Sequence, residues 1–148
     1  MKLPTVNEVI NHTKIKYQKD TSKKLERLKE TGEYFTPSNI IIDSLNEIVD
    51  KKELSKNFID RMCGDGNWLV EILILKMQNG MDFESALKTL WGSDLMQDNI
   101  DMCRQRLLCN QTHLKHIVDN QIICGDTFKN PFFESESFGP NSLFEVQE

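Results

Sequence analysis

Three short stretches of this chain place a carboxylate directly after a run of apolar residues. Phe58-Ile59 leads into Asp60-Arg61-Met62-Cys63-Gly64-Asp65-Gly66-Asn67-Trp68-Leu69, Leu90 to Ser93 leads into Asp94, and Gln121-Ile122-Ile123-Cys124-Gly125 leads into Asp126. A carboxylate at the end of a strand commonly accepts hydrogen bonds from ribose hydroxyls. Glycines such as Gly64 and Gly66 let the backbone come close to a ligand, because no side chain intervenes. A helix starting after them offers N–H groups that have no partner inside the helix. Each stretch alone has a plainer explanation: a tight turn at Gly64 and Gly66, a helix cap at Asp94, a surface turn at Gly125-Asp126. Read together they need one condition. If the three strands are parallel, their carboxyl ends share one sheet edge, and Asp60, Asp94 and Asp126 converge on one crevice.

The elements around these residues meet that condition. Residues from about Thr5 to Glu30 are good helix formers with weak apolar periodicity, stopped by Thr31-Gly32. Thr36 as a cap and Pro37 at the first helical position predict a second helix, with Ile40, Ile41, Leu45, Ile48 and Val49 at helical spacing. Lys51 to Asn57 reads as a loop and Asn57 to Asp60 as a strand. Trp68 to Met77 is apolar enough for a buried helix, ended by Asn79-Gly80. Asp82 caps a short helix through Leu87. Leu90 to Asp94 is the second strand, Asp98 to Leu108 a helix, and Gln121 to Cys124 the third strand. Alternating helices and strands predict an α/β fold with a parallel sheet and helices on both faces.

Composition narrows the class of protein. A chain of 148 residues suits one domain. The longest apolar run, Leu69 to Leu75, is broken by Glu71 and falls well short of the roughly 20 residues of a membrane span. The N-terminus has no apolar core of a signal peptide, so a cytoplasmic location is expected, with no membrane partner. Cys63, Cys103, Cys109 and Cys124 form no Cys-x-x-Cys pair, and the three histidines complete no zinc set, so no metal is expected and the thiols read as reduced. The formal net charge of −5 argues against strong general affinity for DNA. A local option remains between Lys14 and Lys29, where Lys16, Lys19, Lys23, Lys24 and Arg27 also lie.

Four motifs carry a resemblance. Gly32-Glu33-Tyr34-Phe35-Thr36-Pro37 resembles the Gly-x-Phe/Tyr-Thr-Pro segment of N6-adenine DNA methyltransferases. Asp60 to Leu69 resembles their Asp-Pro-x-Cys-Gly-x-Gly-x-Phe-Leu motif, with Arg61 in place of Pro and Trp68 in place of Phe. Gly92-Ser93-Asp94-Leu95, followed by Asn99 and Arg106-Leu107, is similar to their second motif, and Gly125-Asp126 to their third. The order is that of the family, over roughly Gly32 to Asp126. The chain also resembles short methyltransferase-related proteins encoded by phages, which share this compact layout. The resemblance implies a Rossmann-like class I methyltransferase fold with a truncated sheet, divided as an N-terminal helical segment (residues 1–31), a cofactor domain (32–128) and a tail (129–148). It implies S-adenosylmethionine as cofactor. Tyr34, Phe35, Thr36 and Pro37 would lie over it. Asp60, Cys63, Gly64, Gly66 and Asn67 would surround its methionine part. Asp94 would take the ribose hydroxyls with Leu95 on the adenine, and Asp126 the exocyclic amine, with Thr127 and Phe128 beside the ring.

Catalysis departs from that pattern. The resembled enzymes carry an Asn/Asp/Ser-Pro-Pro-Tyr/Phe motif at the end of a fourth strand, whose polar groups accept hydrogen bonds from the target amine and whose ring stacks on a flipped base. Here Asn130-Pro131-Phe132-Phe133 begins four residues after Asp126, with no strand between, whereas a parallel strand needs a longer crossover. These four are the candidates for that motif, and a loop burying both rings is the plainer reading. An adenine-N6 DNA methyltransferase, active or as a cofactor-binding fragment, is one functional expectation. The alternative is a non-catalytic accessory protein or phage modulator of a methyltransferase or of the cofactor pool. A different reaction on the same cofactor, using Cys63 and the acids, is a third. A dinucleotide oxidoreductase is disfavoured by the absent Gly-x-Gly-x-x-Gly. Expected partners are S-adenosylmethionine or S-adenosylhomocysteine, DNA, and a second protein chain. The last follows from the strand Phe58-Ile59, which needs a neighbour where the catalytic strand would stand. Either the tail, around Ser142 to Val146, pairs there, or a homodimer or partner methyltransferase chain covers the edge.

Overall fold

A three-residue strand survives only where both faces are covered, and Phe58–Asp60 (β1) is buried at every position. In the computed structural model, which describes residues 2–15, 36–126, 129 and 144–146, β1 pairs in parallel on both sides. Leu90–Asp94 (β2) lies beside it with Phe58 opposite Leu90 and Asp60 opposite Gly92. Ile122–Cys124 (β3) pairs with β2, Asp94 opposite Cys124. Phe144–Val146 (β4) pairs with the other edge of β1, Phe58 opposite Phe144. The sheet order is β3-β2-β1-β4, all parallel. The pairing expected of the tail beside Phe58 and Ile59 is therefore the one observed.

The helices follow the apolar pattern. Asn67–Gln78 (α3) is the central one, with Leu69, Val70, Ile72, Leu73, Ile74 and Met77 buried. It touches β1 and β2, and also Val6–Ile10 (α1), Ser38–Ile48 (α2), Phe83–Leu87 (α4) and Gln97–Leu108 (α5). A helix in contact with that many neighbours must be apolar nearly all round, which explains its uniform composition. Helix α5 packs on β2 and β3, as does Lys115–Gln121 (α6), a helix not anticipated from the sequence. Its inward residues Ile117 and Val118 continue from Leu114 in a preceding 3₁₀ turn, too short a stripe to show a period.

Two local expectations need correction, and a third lies partly outside the described residues. The N-terminal helix is described only to Ile15, as α1 followed by a π-helical turn from Asn11 to Ile15; its expected extension to Glu30 lies outside the described residues. The loop from Lys51 contains a 3₁₀ turn, Lys51–Glu53, capped by the Asp50 side chain. Helix α2 is capped by neither Thr36 nor a side chain: extended Pro37, at ψ 147°, is the residue before its first turn. Pro cannot donate to the preceding backbone, so extended Pro37 fits the cap position as well as the first turn. No described helix is long and apolar enough to cross a membrane.

Candidate functional site

The connection from β1 to α3 is held by packing on one side and by hydrogen bonds on the other. Gly64 and Gly66 both take positive φ, 53° and 95°, and Gly66 precedes the first residue of α3. A side chain at Gly66 would meet the Cys103 sulfur at 2.7 Å, so glycine is required there by packing as well as by conformation. At Gly92, opposite Asp60 in β2, an added Cβ would stand 2.9 Å from Leu69 and 3.1 Å from Cys63. The loop thus lies directly on β2 because Gly92 is bare, and against α5 because Gly66 is. Two bonds fasten it: Cys63 N–H donates to the Ser93 carbonyl at 2.9 Å, and the Ser93 hydroxyl donates to the Arg61 carbonyl at 3.0 Å.

A buried guanidinium holds the far side of that loop. Arg106 on α5 donates to the Asp65 carbonyl (3.0 Å), the Asp65 carboxylate (3.4 Å) and the Asn67 side-chain oxygen (2.8 Å), and to the Thr13 carbonyl in the N-terminal turn. Asn67 in turn donates to the Thr36 carbonyl at 3.0 Å. Buried Glu71, one turn along α3, accepts from the Ser38 hydroxyl at 2.5 Å and pairs with Lys14 at 2.8 Å. The Thr36-Pro37 segment and the N-terminal turn are therefore joined to the glycine loop through side chains of α3 and α5.

The connection from β2 to α5 is built differently. Asp94 Oδ2 accepts from the Met96 N–H at 3.0 Å and from the Asn99 side-chain amide at 3.1 Å. The first bond is an Asx turn, so Asp94 shapes the approach to α5 without capping it. Leu95, beside it, is 73% exposed, and Met62, in the neighbouring loop, is 63% exposed. Two large apolar side chains thus stand open at the edge that carries Asp60, Asp94 and Asp126. The Gly125 N–H donates to the Asp94 carbonyl at 2.9 Å, which continues the β2–β3 ladder to the residue before Asp126.

The three acids are thereby brought to one edge: Asp60 buried at the end of β1, Asp94 and Asp126 partly buried after β2 and β3. The polar groups of Cys63 and Asn67 are used within the protein, so each offers a ligand shape more than a hydrogen bond. The neighbouring Cys103 thiol, burial, and the Asp60 and Asp94 carboxylates together push the Cys63 thiol well above its ordinary range. Cys63 is thus a buried core thiol held toward its protonated form. No set of three or more metal-binding side chains occurs among the described residues. Tyr34, Phe35, Thr127, Phe128, Asn130, Pro131, Phe132 and Phe133 lie outside the described residues.

Arg106, Glu71 and Asn99 are the residues whose parts the sequence did not disclose. A signal existed for two of them. Asn99, Ile100, Cys103, Arg106 and Leu107 recur on the buried face of α5, and a polar residue in such a row must find a buried partner.

A parallel sheet ordered 3-2-1, a glycine loop after its first strand and acids after the next two define a Rossmann-like methyltransferase fold of the α/β class. The family model of the N-6 DNA methylases matches residues 22–141, and the chain belongs to that family. Comparison with curated proteins and with solved structures gave no match.

Proposed function

We propose that this chain binds S-adenosylmethionine along the carboxyl edge of β1, β2 and β3, as the cofactor half of an adenine-N6 DNA methyltransferase. The carrying observation is the convergence of Asp60, Asp94 and Asp126 beside a glycine loop that is held in shape by the protein alone. The chemistry of the site suits the cofactor. Carboxylates complement its sulfonium and ammonium charges, Asp94 suits its ribose diol, and exposed Leu95 offers an apolar face to its adenine. When bound, the cofactor supplies an electrophilic methyl group. The chain's own part is to hold it: Gly64 and Gly66 admit the methionine part, and Asp126 receives the adenine amine. Thr36 and Pro37, tied through Asn67, lie close to the loop that would hold the methionine end.

DNA adenine is the acceptor that family membership suggests, and the reading extends to it on that ground alone. Asn130-Pro131-Phe132-Phe133 precedes β4 in the chain, whereas the motif of the resembled enzymes follows their fourth strand. We therefore assign this chain the binding of the cofactor and give those four residues no part in methyl transfer. Four free cysteines, three of them buried, fit a reducing cytoplasm.

Isothermal titration tests the proposal. The chain should bind S-adenosylmethionine and S-adenosylhomocysteine one-to-one and ignore ATP, and Asp94→Ala should weaken both by about tenfold or more. An intact, folded chain that binds neither compound would overturn it.

A further inference from the structure

A carboxylate meets a diol best when its rotation is fixed, yet the outer torsion of Asp is soft. Two donors restrain it at Asp94, and both fall on the same oxygen. Oδ2 receives the Met96 N–H at 3.0 Å and the Asn99 amide at 3.1 Å, while Oδ1 receives no hydrogen bond from a described residue. The two donors are unequal in firmness. Met96 belongs to the exposed Leu95-Met96 turn, whereas Asn99 is 3% exposed in the first turn of α5, between buried Ile100 and the Cys103 row. Only the nitrogen of the Asn99 amide can face a carboxylate oxygen, so its bond has one sense.

We infer that Asn99 is a positioning residue for ribose recognition: by holding Asp94 Oδ2 from the core, it reserves Oδ1 for the vicinal hydroxyls of the ligand. This rests on the reading of Asp94 as the ribose-binding acid. With Asn99 removed, Asp94 keeps the Met96 bond alone and can turn either oxygen toward the helix. The carboxylate then meets the diol in a mixture of rotations, and affinity falls through the hydroxyls only.

The test pairs two ligands with two variants. S-adenosylhomocysteine and its 2′,3′-dideoxy counterpart are titrated into the wild type, Asn99→Leu and Asn99→Ser, with melting temperatures measured without ligand. The wild type should prefer the hydroxylated ligand. Asn99→Leu should weaken that ligand about tenfold and the dideoxy ligand less than about twofold. Asn99→Ser, which retains a donor in less volume, should fall between and keeps the test open if the leucine variant does not fold. Equal weakening of both ligands, or unchanged binding of S-adenosylhomocysteine, overturns the role of Asn99 and leaves the cofactor reading intact. A wild type that binds both ligands equally removes Asp94 from ribose recognition, and one that binds neither removes the cofactor reading. Either result overturns the inference as well.

Discussion

Two loops leave the same edge of the sheet and are held by opposite means. The β1–α3 loop is fixed from within, by bare glycines against Cys103 and Leu69 and by a buried guanidinium on Asp65 and Asn67. The β2–α5 turn is held by the Asp94 carboxylate and by contacts of the Cys124 thiol and the Gly125 N–H with its backbone carbonyls, and leaves Leu95 in solvent. The difference separates two jobs that sequence motifs run together. Residues of the first loop build the floor of the site whether or not a ligand is present, so their loss should be felt as instability. Leu95 of the second has little to do in the empty protein, so its loss should be felt as weakened binding.

The largest effect that sharpens this contrast belongs to Arg106. Arg106→Met leaves the Asp65 carboxylate buried with no opposite charge from α5, and should lower stability by about 3–5 kcal/mol in urea unfolding. Gly66→Ala comes next. It forces a side chain into positive φ and against a sulfur 2.7 Å away, with an expected loss of about 2–4 kcal/mol. The double variant with Cys103→Ala should recover part of that loss, the part due to contact. Full additivity of the two changes would show that contact with the sulfur is not the cause. In the second loop the pattern should invert. Leu95→Ala should change stability by less than about 0.5 kcal/mol while weakening S-adenosylhomocysteine about tenfold. A large drop in its urea midpoint would break the comparison.

A smaller effect lies away from both loops. Lys76 of α3 is buried, donates to the Leu54 and Lys56 carbonyls at 2.7 and 2.6 Å, and is pushed down by burial to about 8. Its folded pKa lies below that of the unfolded chain. Between about pH 8 and 10.5 the unfolded state holds a proton the folded state has released, so this group's contribution to stability rises with pH. Burial pushes the Cys109 thiol the other way, up to about 12, and that thiol's contribution to stability falls as pH rises from about 9 to 12. Lys76→Met retains the thiols. The urea midpoint of the wild type should therefore gain on that of Lys76→Met from pH 7.5 to 10, and a constant difference would contradict the assignment.

Much of this was legible in the chain because strands and acids are local signals. Phe58-Ile59, Leu90 to Ser93 and Ile122-Ile123 are apolar runs closed by glycine or aspartate, and each became a strand of the parallel sheet. The expected use of Thr36 as a cap failed because the helix starts at Ser38 with extended Pro37 in the cap position, while the Thr36 carbonyl is taken by Asn67, a partner 31 residues away. The same distance hides the Arg106 web, which joins Thr13, Asp65 and Asn67 across 93, 41 and 39 residues of sequence. Hydrophobic periodicity can show that a position faces inward. It cannot name what the charge there will meet.

Hydrogen exchange of the backbone, with and without saturating S-adenosylhomocysteine, tests the central claim most directly. Ligand should slow exchange at Leu95 and Asp126, and less at Cys63, Gly66, Met96 and Gly125, whose N–H groups are already bonded to the Ser93 carbonyl, the Cys63 carbonyl, the Asp94 carboxylate and the Asp94 carbonyl. Protection confined to the opposite end of the sheet, or no protection at all, would contradict a cofactor site built on the carboxyl edge of β1, β2 and β3.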